Sequence, residues 1–191
     1  PELTLEDSVQ DDRWVDLGLS VLWAAYNVGA SSPEEYGGYY AWGETEEKSS
    51  YTWENYKYYN SSTGGFNNIG SNISGTSYDV AHIKWGGSWR MPTDDELTEL
   101  WEQCTWTWTT QKGVDGYRVT SKANCNSIFL PAAGYRYGSL LDNAGSIGYY
   151  WSSSLYTGNP FFACYLYFGS SKVDWSLSKR YYGQSVRPVC Q

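Results

Sequence analysis

Trp85-Gly86-Gly87-Ser88-Trp89-Arg90-Met91-Pro92-Thr93-Asp94-Asp95-Glu96-Leu97 is the stretch from which the organisation of this 191-residue chain is read. Thr93 stands three residues before Glu96, the spacing of a capping box. The threonine hydroxyl accepts from the Glu96 amide, and the glutamate carboxylate accepts from the Thr93 amide in return. Asp94 and Asp95 place negative charge at the positive end of the helix dipole. Leu97, Leu100, Trp101 and Cys104 then follow at spacings of three and four, which makes one apolar stripe. The pattern predicts a helix of about three turns that ends near Gln103 or Cys104.

Downstream of that helix the period changes from helical to alternating. TWTWTT (105–110), GYRVTS (116–121), SIFLPAAGYR (127–136), YYWSSS (149–154), ACYLYF (163–168), KVDWS (172–176) and SVRPV (185–189) are short runs punctuated by Gly and Ser. Such runs predict antiparallel strands. Upstream, WVDLGLSVLW (14–23) has apolar residues at 15, 17, 19 and 21, a strand or hairpin with Gly18 at a turn or bulge. Ser32-Pro33-Glu34-Glu35-Tyr36-Gly37 predicts a helix of one or two turns, capped by Ser32 and ended by Gly37. Residues 43–80 are polar, with Gly64-Gly65, Asn67-Asn68 and Ser74-Gly75, and predict long loops held by Trp42, Trp53, Tyr56, Tyr58 and Tyr59. Residues 1–12 are acidic and polar and are expected to be a tail or linker, with 13–191 as one domain. Early helices followed by strands give an α+β fold.

Composition narrows the function. The chain has 11 Trp and 19 Tyr against one Met, and a mean hydropathy of -0.56. Tyr and Trp bury large area while keeping a polar atom, which is the vocabulary of binding surfaces. Residues 1–100 carry 17 acidic and 5 basic side chains, residues 101–191 carry 4 and 8, and the net charge is -8. A chain this acidic repels a phosphate backbone, so nucleic acid is not expected as a partner. No run approaches the ~20 apolar residues of a membrane helix, and membrane insertion is not expected either. The polar start at Pro1 fits the mature part of an exported protein.

Catalytic constellations are hard to assemble from these residues. His82 is the single histidine, no CxxC pair exists, and no nucleophile motif surrounds His82. Glu34-Glu35 and Asp94-Asp95 sit at expected helix starts and Glu46-Glu47 in a solvated loop, so paired-carboxylate hydrolysis is not indicated. Cys104, Cys125, Cys164 and Cys190 allow three full pairings, or remain buried thiols. The expectation is a protein that is not an enzyme and has no cofactor or metal.

VDLGLSVLWA (15–24), YYAWGE (39–44), WGGSWRMPTDDEL (85–97), IFLPAAGYR (128–136), YYWSSS (149–154) and SVRPV (185–189) together resemble the FISUMP-type major paralogous domain family of gut and rumen Bacteroidetes and Fibrobacteres. The resemblance spans about Trp14 to Val189. RMPTDDEL and the terminal SVRPV also resemble, more distantly, the formylglycine-generating, sulfatase-modifying group. That likeness implies a C-type-lectin-like fold with two early helices, a small antiparallel sheet, long loops, and adjacent N- and C-terminal strands. It also implies display on a bacterial surface or secretion, as a lipoprotein or at a pilus or phage tip. The cysteine pair that serves the oxidases of that group is not matched by the surroundings of Cys164 (FFACYLYF) and Cys190 (RPVCQ). The Glu-Pro-Asn or Gln-Pro-Asp and Trp-Asn-Asp motifs of calcium-dependent lectins are missing, so calcium is not expected.

Residues 135–187 further resemble the variable region of proteins diversified by retroelements. A lattice that includes Trp151, Leu166, Phe168, Val173, Trp175, Arg180 and Arg187 alternates with Tyr149, Tyr156, Phe161, Phe162, Tyr165, Tyr167, Asp174, Ser176, Ser178, Tyr181 and Tyr182. Strand alternation predicts that Leu166, Phe168, Val173 and Trp175 face the core, with Tyr165, Tyr167 and Asp174 outward. The second set is the expected ligand-binding surface, offered to a protein or glycan receptor. Two alternatives stand beside this adhesion reading: a metal-independent carbohydrate-binding domain, and an oxidase of the formylglycine-generating type.

Overall fold

A computed structural model describes residues 12–191; the tail expected over 1–12 lies, apart from Asp12, outside the described residues. The chain begins with strands β1 (Trp14–Val15), β2 (Leu22–Ala24), β3 (Tyr59–Asn60) and β4 (Gly65–Phe66), then helices α1 (Val80–Trp85) and α2 (Asp94–Gln103). Strands β5 (Cys104–Gln111), β6 (Val114–Ser121), β7 (Ser127–Pro131), β8 (Tyr135–Tyr137) and β9 (Leu140–Asp142) follow. Then come β10 (Ile147–Leu155), β11 (Phe162–Gly169), β12 (Lys172–Lys179) and β13 (Val189–Cys190). The result is an α+β fold of small antiparallel sheets, ordered β1-β2-β13, β5-β6-β7 and β10-β11-β12, with two-stranded ribbons β3-β4 and β8-β9.

Helix α2 starts as its sequence dictates. Thr93 Oγ1 accepts from the Glu96 amide at 3.2 Å and Glu96 Oε2 accepts from the Thr93 amide at 2.9 Å. Arg90 grips the same carboxylate through Nη1 at 2.8 Å and Nη2 at 2.6 Å. Burial raises the pKa of Glu96, but the bonds from Arg90 and Thr93 outweigh it and hold the carboxyl below its ordinary range. Leu97, Leu100 and Cys104 are buried, whereas Trp101, expected on the same stripe, is 41 % exposed. Leu100 and Trp101 stand about 100° apart around the helix, at opposite rims of the stripe, and the core takes the leucine.

The short helix expected after Ser32 is instead a set of turns, in which Ser31 donates its amide to Glu35 Oε2 at 2.7 Å. Gly37, at φ +75°, turns the chain too early to offset the cost of nucleating a helix. The second helix is α1, which starts at the end of the 43–80 segment read as loop and was not expected. Buried Asp79 caps it, accepting from the amides of Ala81 (2.9 Å) and His82 (3.1 Å), and also from Gly75 (2.8 Å) and Met91 (2.7 Å). Six residues carry too little periodicity to announce a helix, and the carboxylate supplies what periodicity does not.

The sheet β10-β11-β12 divides the interior. On one side Tyr150, Leu166 and Phe168 join Leu17, Trp23, Leu97, Leu100 and Val189 in one core; on the other Trp151, Ala163 and Tyr165 join Trp42, Tyr51, Tyr56 and Val186 in a second. Val173 and Trp175 are partly buried against the first core, on the side expected for them.

Between these layers runs the C-terminal stretch 183–190, buried at every residue. Gly183 pairs with Arg136, Gln184 with Tyr40, Ser185 with Tyr150, and Val189 with both Trp23 and Arg90. The N-terminal hairpin β1-β2 and the last strand therefore share one sheet, with β2 between β1 and β13. Arg187, 1 % exposed, sits at the centre of this stretch. Its Nε donates to Asn27 Oδ1 at 2.8 Å, Nη1 to the carbonyls of Ala24 (3.1 Å) and Ala25 (3.2 Å), and Nη2 to Phe129 O at 2.7 Å. Burial pushes its pKa down to about 10, so it remains charged at neutral pH. Arg187→Met strands three carbonyls and the Asn27 amide oxygen, and is expected to cost about 3–5 kcal/mol. Thermal unfolding should show a midpoint lower by about 10 °C; an unchanged midpoint would contradict this role for the guanidinium.

Candidate binding face

The antiparallel register of β10, β11 and β12 sets side chains in rows across the sheet. Tyr149 lies beside Tyr167 and Tyr167 beside Asp174; Trp151 lies beside Tyr165 and Tyr165 beside Ser176; Ala163 lies beside Ser178. Residues two apart along a strand share a face, so all of these lie on one side, opposite Tyr150, Leu166 and Phe168. Two neighbouring segments lean over this side. Strand β8 brings Tyr135, whose ring is 4.7 Å from that of Tyr149, and the turn after β12 brings Tyr182, 5.3 Å from Tyr135. Tyr149 stacks on Tyr165 at 5.8 Å and meets Tyr167 edge-on at 5.6 Å, while Asn143 Nδ2 donates to the Tyr149 hydroxyl at 2.9 Å.

Among these rings lies a depression of about 260 Å³, bordered by Tyr135, Tyr149, Phe162, Tyr165 and Tyr182. Its polar lining comes from Ser178, Lys179 and Gln184. Gln184 is fully buried and donates Nε2 to Ser178 Oγ at 2.7 Å, but its Oε1 has no donor. An unsatisfied buried carbonyl of this kind costs about 1–3 kcal/mol. Oε1 is closed to solvent, so a ligand hydroxyl or amide reaches it only if the lining of the depression moves.

The sequence-predicted residues thus separate into groups. Tyr149, Tyr167, Asp174, Ser176 and Tyr182 come together on the face, with Phe162 at the edge of the depression. Asp174 is held by Lys172 Nζ at 2.5 Å, and this bond keeps its carboxyl below the ordinary range. Tyr165 and Ser178 lie on the expected side but are only 9 % and 6 % exposed, because β8 and the 181–184 segment cover them; Tyr165 is a core residue. Phe161 and Tyr181 turn to a second aromatic group around Trp53, at 5.4 and 4.6 Å, with Tyr59 and Phe66 completing it. Tyr181 and Tyr182, 4.7 Å apart, join the two groups. Tyr156 stands 40 % exposed at the β10–β11 turn, away from both.

Sequence reasoning missed Tyr135, Tyr137, Asn143 and Gln184. Tyr137, Leu140 and Leu141 of the β8–β9 ribbon are 43 %, 57 % and 41 % exposed, and Tyr137 lies 6.1 Å from Tyr182. The alternation in Tyr135-Arg136-Tyr137 was the available signal for the two tyrosines. Nothing local marks Gln184, whose place depends on its pairing with Tyr40.

Burial pushes the thiols of Cys104 and Cys164 up to about 11, so both stay protonated and weakly nucleophilic at neutral pH. Among the described residues no three His, Cys, Asp or Glu side chains are grouped as metal ligands, and no helix is long and apolar enough to cross a membrane. No protein-family model, curated protein or solved structure matches the chain.

Two outcomes follow for the face. Tyr165→Ala removes a buried ring and is expected to cost about 3–5 kcal/mol, whereas Tyr167→Ala at the rim costs about 1 kcal/mol; chemical denaturation of both variants measures the difference, and equal losses would put Tyr167 in the core. Burial also raises the pKa of Tyr149 and Tyr150 to about 12. A phenol whose folded pKa lies above its ordinary ~10 contributes stability that is intact below that pH and is lost as pH rises through about 12. Phenolate absorbance should rise in two phases, the second coinciding with unfolding.

Proposed function

We propose that this protein is a non-catalytic binding module that presents the Tyr-rich side of β10-β11-β12 to a protein or glycan receptor. The observation that carries the reading is the convergence of Tyr135, Tyr149, Tyr167 and Tyr182 around a depression with an unpartnered amide oxygen beneath it. Tyrosine gives contact area with little rotamer entropy to lose, and Ser, Asn and Gln give adaptable hydrogen bonds, the vocabulary of antibody paratopes. The exposed apolar side chains of β8-β9 extend the same surface.

The finer reading is a C-type-lectin-like domain of the FISUMP type, displayed on a bacterial surface or secreted, with a diversified segment over 135–187. Supporting it are the sheet that joins the N-terminal hairpin β1-β2 to the C-terminal strand β13, the capped helix α2 after the Trp-Gly-Gly turn, and the sorting of lattice residues such as Leu166, Phe168 and Arg187 into the interior. Metal-independent carbohydrate binding is the second reading. It is favoured by the polar pair Ser178 and Gln184 below aromatic rings, an arrangement that suits a sugar stacked on tyrosine with one hydroxyl directed inward.

The test is binding of the labelled chain to intact bacterial and host cells and to a glycan array, beside Tyr167→Ala/Tyr182→Ala. The double variant should bind at least about tenfold more weakly, a loss of about 1.4 kcal/mol, and unfold within a few degrees of the parent. Recognition that survives the double substitution would place the binding site elsewhere. Sequencing the encoding locus adds a genetic check: a near-copy of the codons for 135–187, differing at adenines and lying beside a reverse-transcriptase gene, is the expected finding for a diversified protein.

A further inference from the structure

We propose that a second pocket, beside the Trp53 aromatic group and distinct from the tyrosine face, binds a small monocarboxylate through Arg180. Arg180 is 2 % exposed, and among the described residues no carboxylate pairs with it. Its guanidinium is held between aromatic rings, with Trp42 at 4.9 Å, Phe66 at 4.8 Å and Tyr56 at 5.4 Å. Nε donates to the Tyr56 hydroxyl at 3.0 Å and Nη1 to Pro160 O at 3.2 Å; Nη2 has no acceptor.

With three rings packed round the guanidinium and Nε and Nη1 engaged, the edge that carries Nη2 is what remains for a further partner. A carboxylate matches that edge in shape and charge. The nearby acid Glu44 is already taken by Lys48 at 2.9 Å and by the Lys57 amide at 2.8 Å. The pocket that Arg180 lines measures about 260 Å³; Phe66, Ile69, Leu155, Pro160 and Phe161 give it a largely apolar wall, and the 64–70 segment, with Asn67 and Asn68, runs along it. That volume falls just below the ~300 Å³ at which drug-sized sites begin, so it suits one ring or short chain bearing the acid group. A single guanidinium in apolar surroundings balances a monoanion and leaves a phosphate dianion under-neutralised. Nη2 is closed to solvent, so a ligand reaches it only if the pocket wall moves; Phe66 on that wall sits on a ribbon of only two residue pairs, Tyr59–Phe66 and Asn60–Gly65.

This site does not rest on the receptor reading, and its test uses different probes. Benzoate, benzyl alcohol and inorganic phosphate are titrated separately into the full chain and followed by amide chemical shifts. Benzoate is expected to bind saturably, at least tenfold more tightly than benzyl alcohol and than phosphate, with shifts centred on 64–70, Phe161 and Arg180. Arg180→Lys keeps a charge but loses the fork, and should weaken benzoate at least fivefold. Because that variant can fail to fold, the comparison of the three probes on the parent chain decides independently. Equal binding of benzoate and benzyl alcohol, or no saturable shift at 64–70, would overturn the proposal.

Discussion

The rest of the structure depends on a buried cation that has no anion partner among the described residues. Arg187 spends its guanidinium on the carbonyls of Ala24, Ala25 and Phe129 and on Asn27, and so ties the first hairpin and the segment after it, the β5-β6-β7 sheet and the C-terminal stretch to one point. Neutral acceptors replace water without demanding the desolvation of a second charge, which is why such a cation survives burial. The stretch that carries it, 183–190, is buried throughout and pairs in turn with residues from five other parts of the chain. Several small sheets, each too slight to stand alone, are made into one body by this shared segment.

That frame explains how an open aromatic face can exist. The side of β10-β11-β12 that packs on Leu17, Trp23 and Leu100 supplies apolar burial through Leu166 and Phe168. The other side is half covered: Trp151 and Tyr165 join the second core, while Tyr149, Tyr167 and Asp174 remain at its margin. On the proposed reading, stability rests on the residues turned to the two cores and recognition on those left at the margin. A strand period of two is the simplest way for one short sequence to meet both demands, and it lets the margin change while the frame persists. Tyr182 adds to the margin from a different segment, which binds the geometry of the face to the same C-terminal stretch that organises the core.

Much of this was legible in the sequence where the signal is local. The capping box at Thr93 and Glu96, the Gly18 turn and the alternation through Leu166 and Phe168 each depend on neighbours a few residues away, and each appears as read. The misses have a different character. Asp79 makes a helix by accepting amides from both sides of it, including Met91, twelve residues downstream. Tyr165 obeys its strand parity yet is buried, because parity fixes the side of a sheet and not what covers that side. Trp53, Tyr59 and Phe66 lie in the loop-like segment, and only the folded chain brings them to Phe161 and Tyr181. Gln184 became part of the site through a pairing with Tyr40 that spans most of the chain.

The central claim is that frame and face are separable. The most direct measurement is a library randomised together at Tyr137, Tyr149, Tyr167, Asp174, Ser176 and Tyr182, sorted for protease resistance and then for retention of the parent's receptor binding. The account predicts that most members resist protease while few keep that binding. If most members are instead digested, these side chains belong to the frame, and the tyrosine surface is core rather than a site.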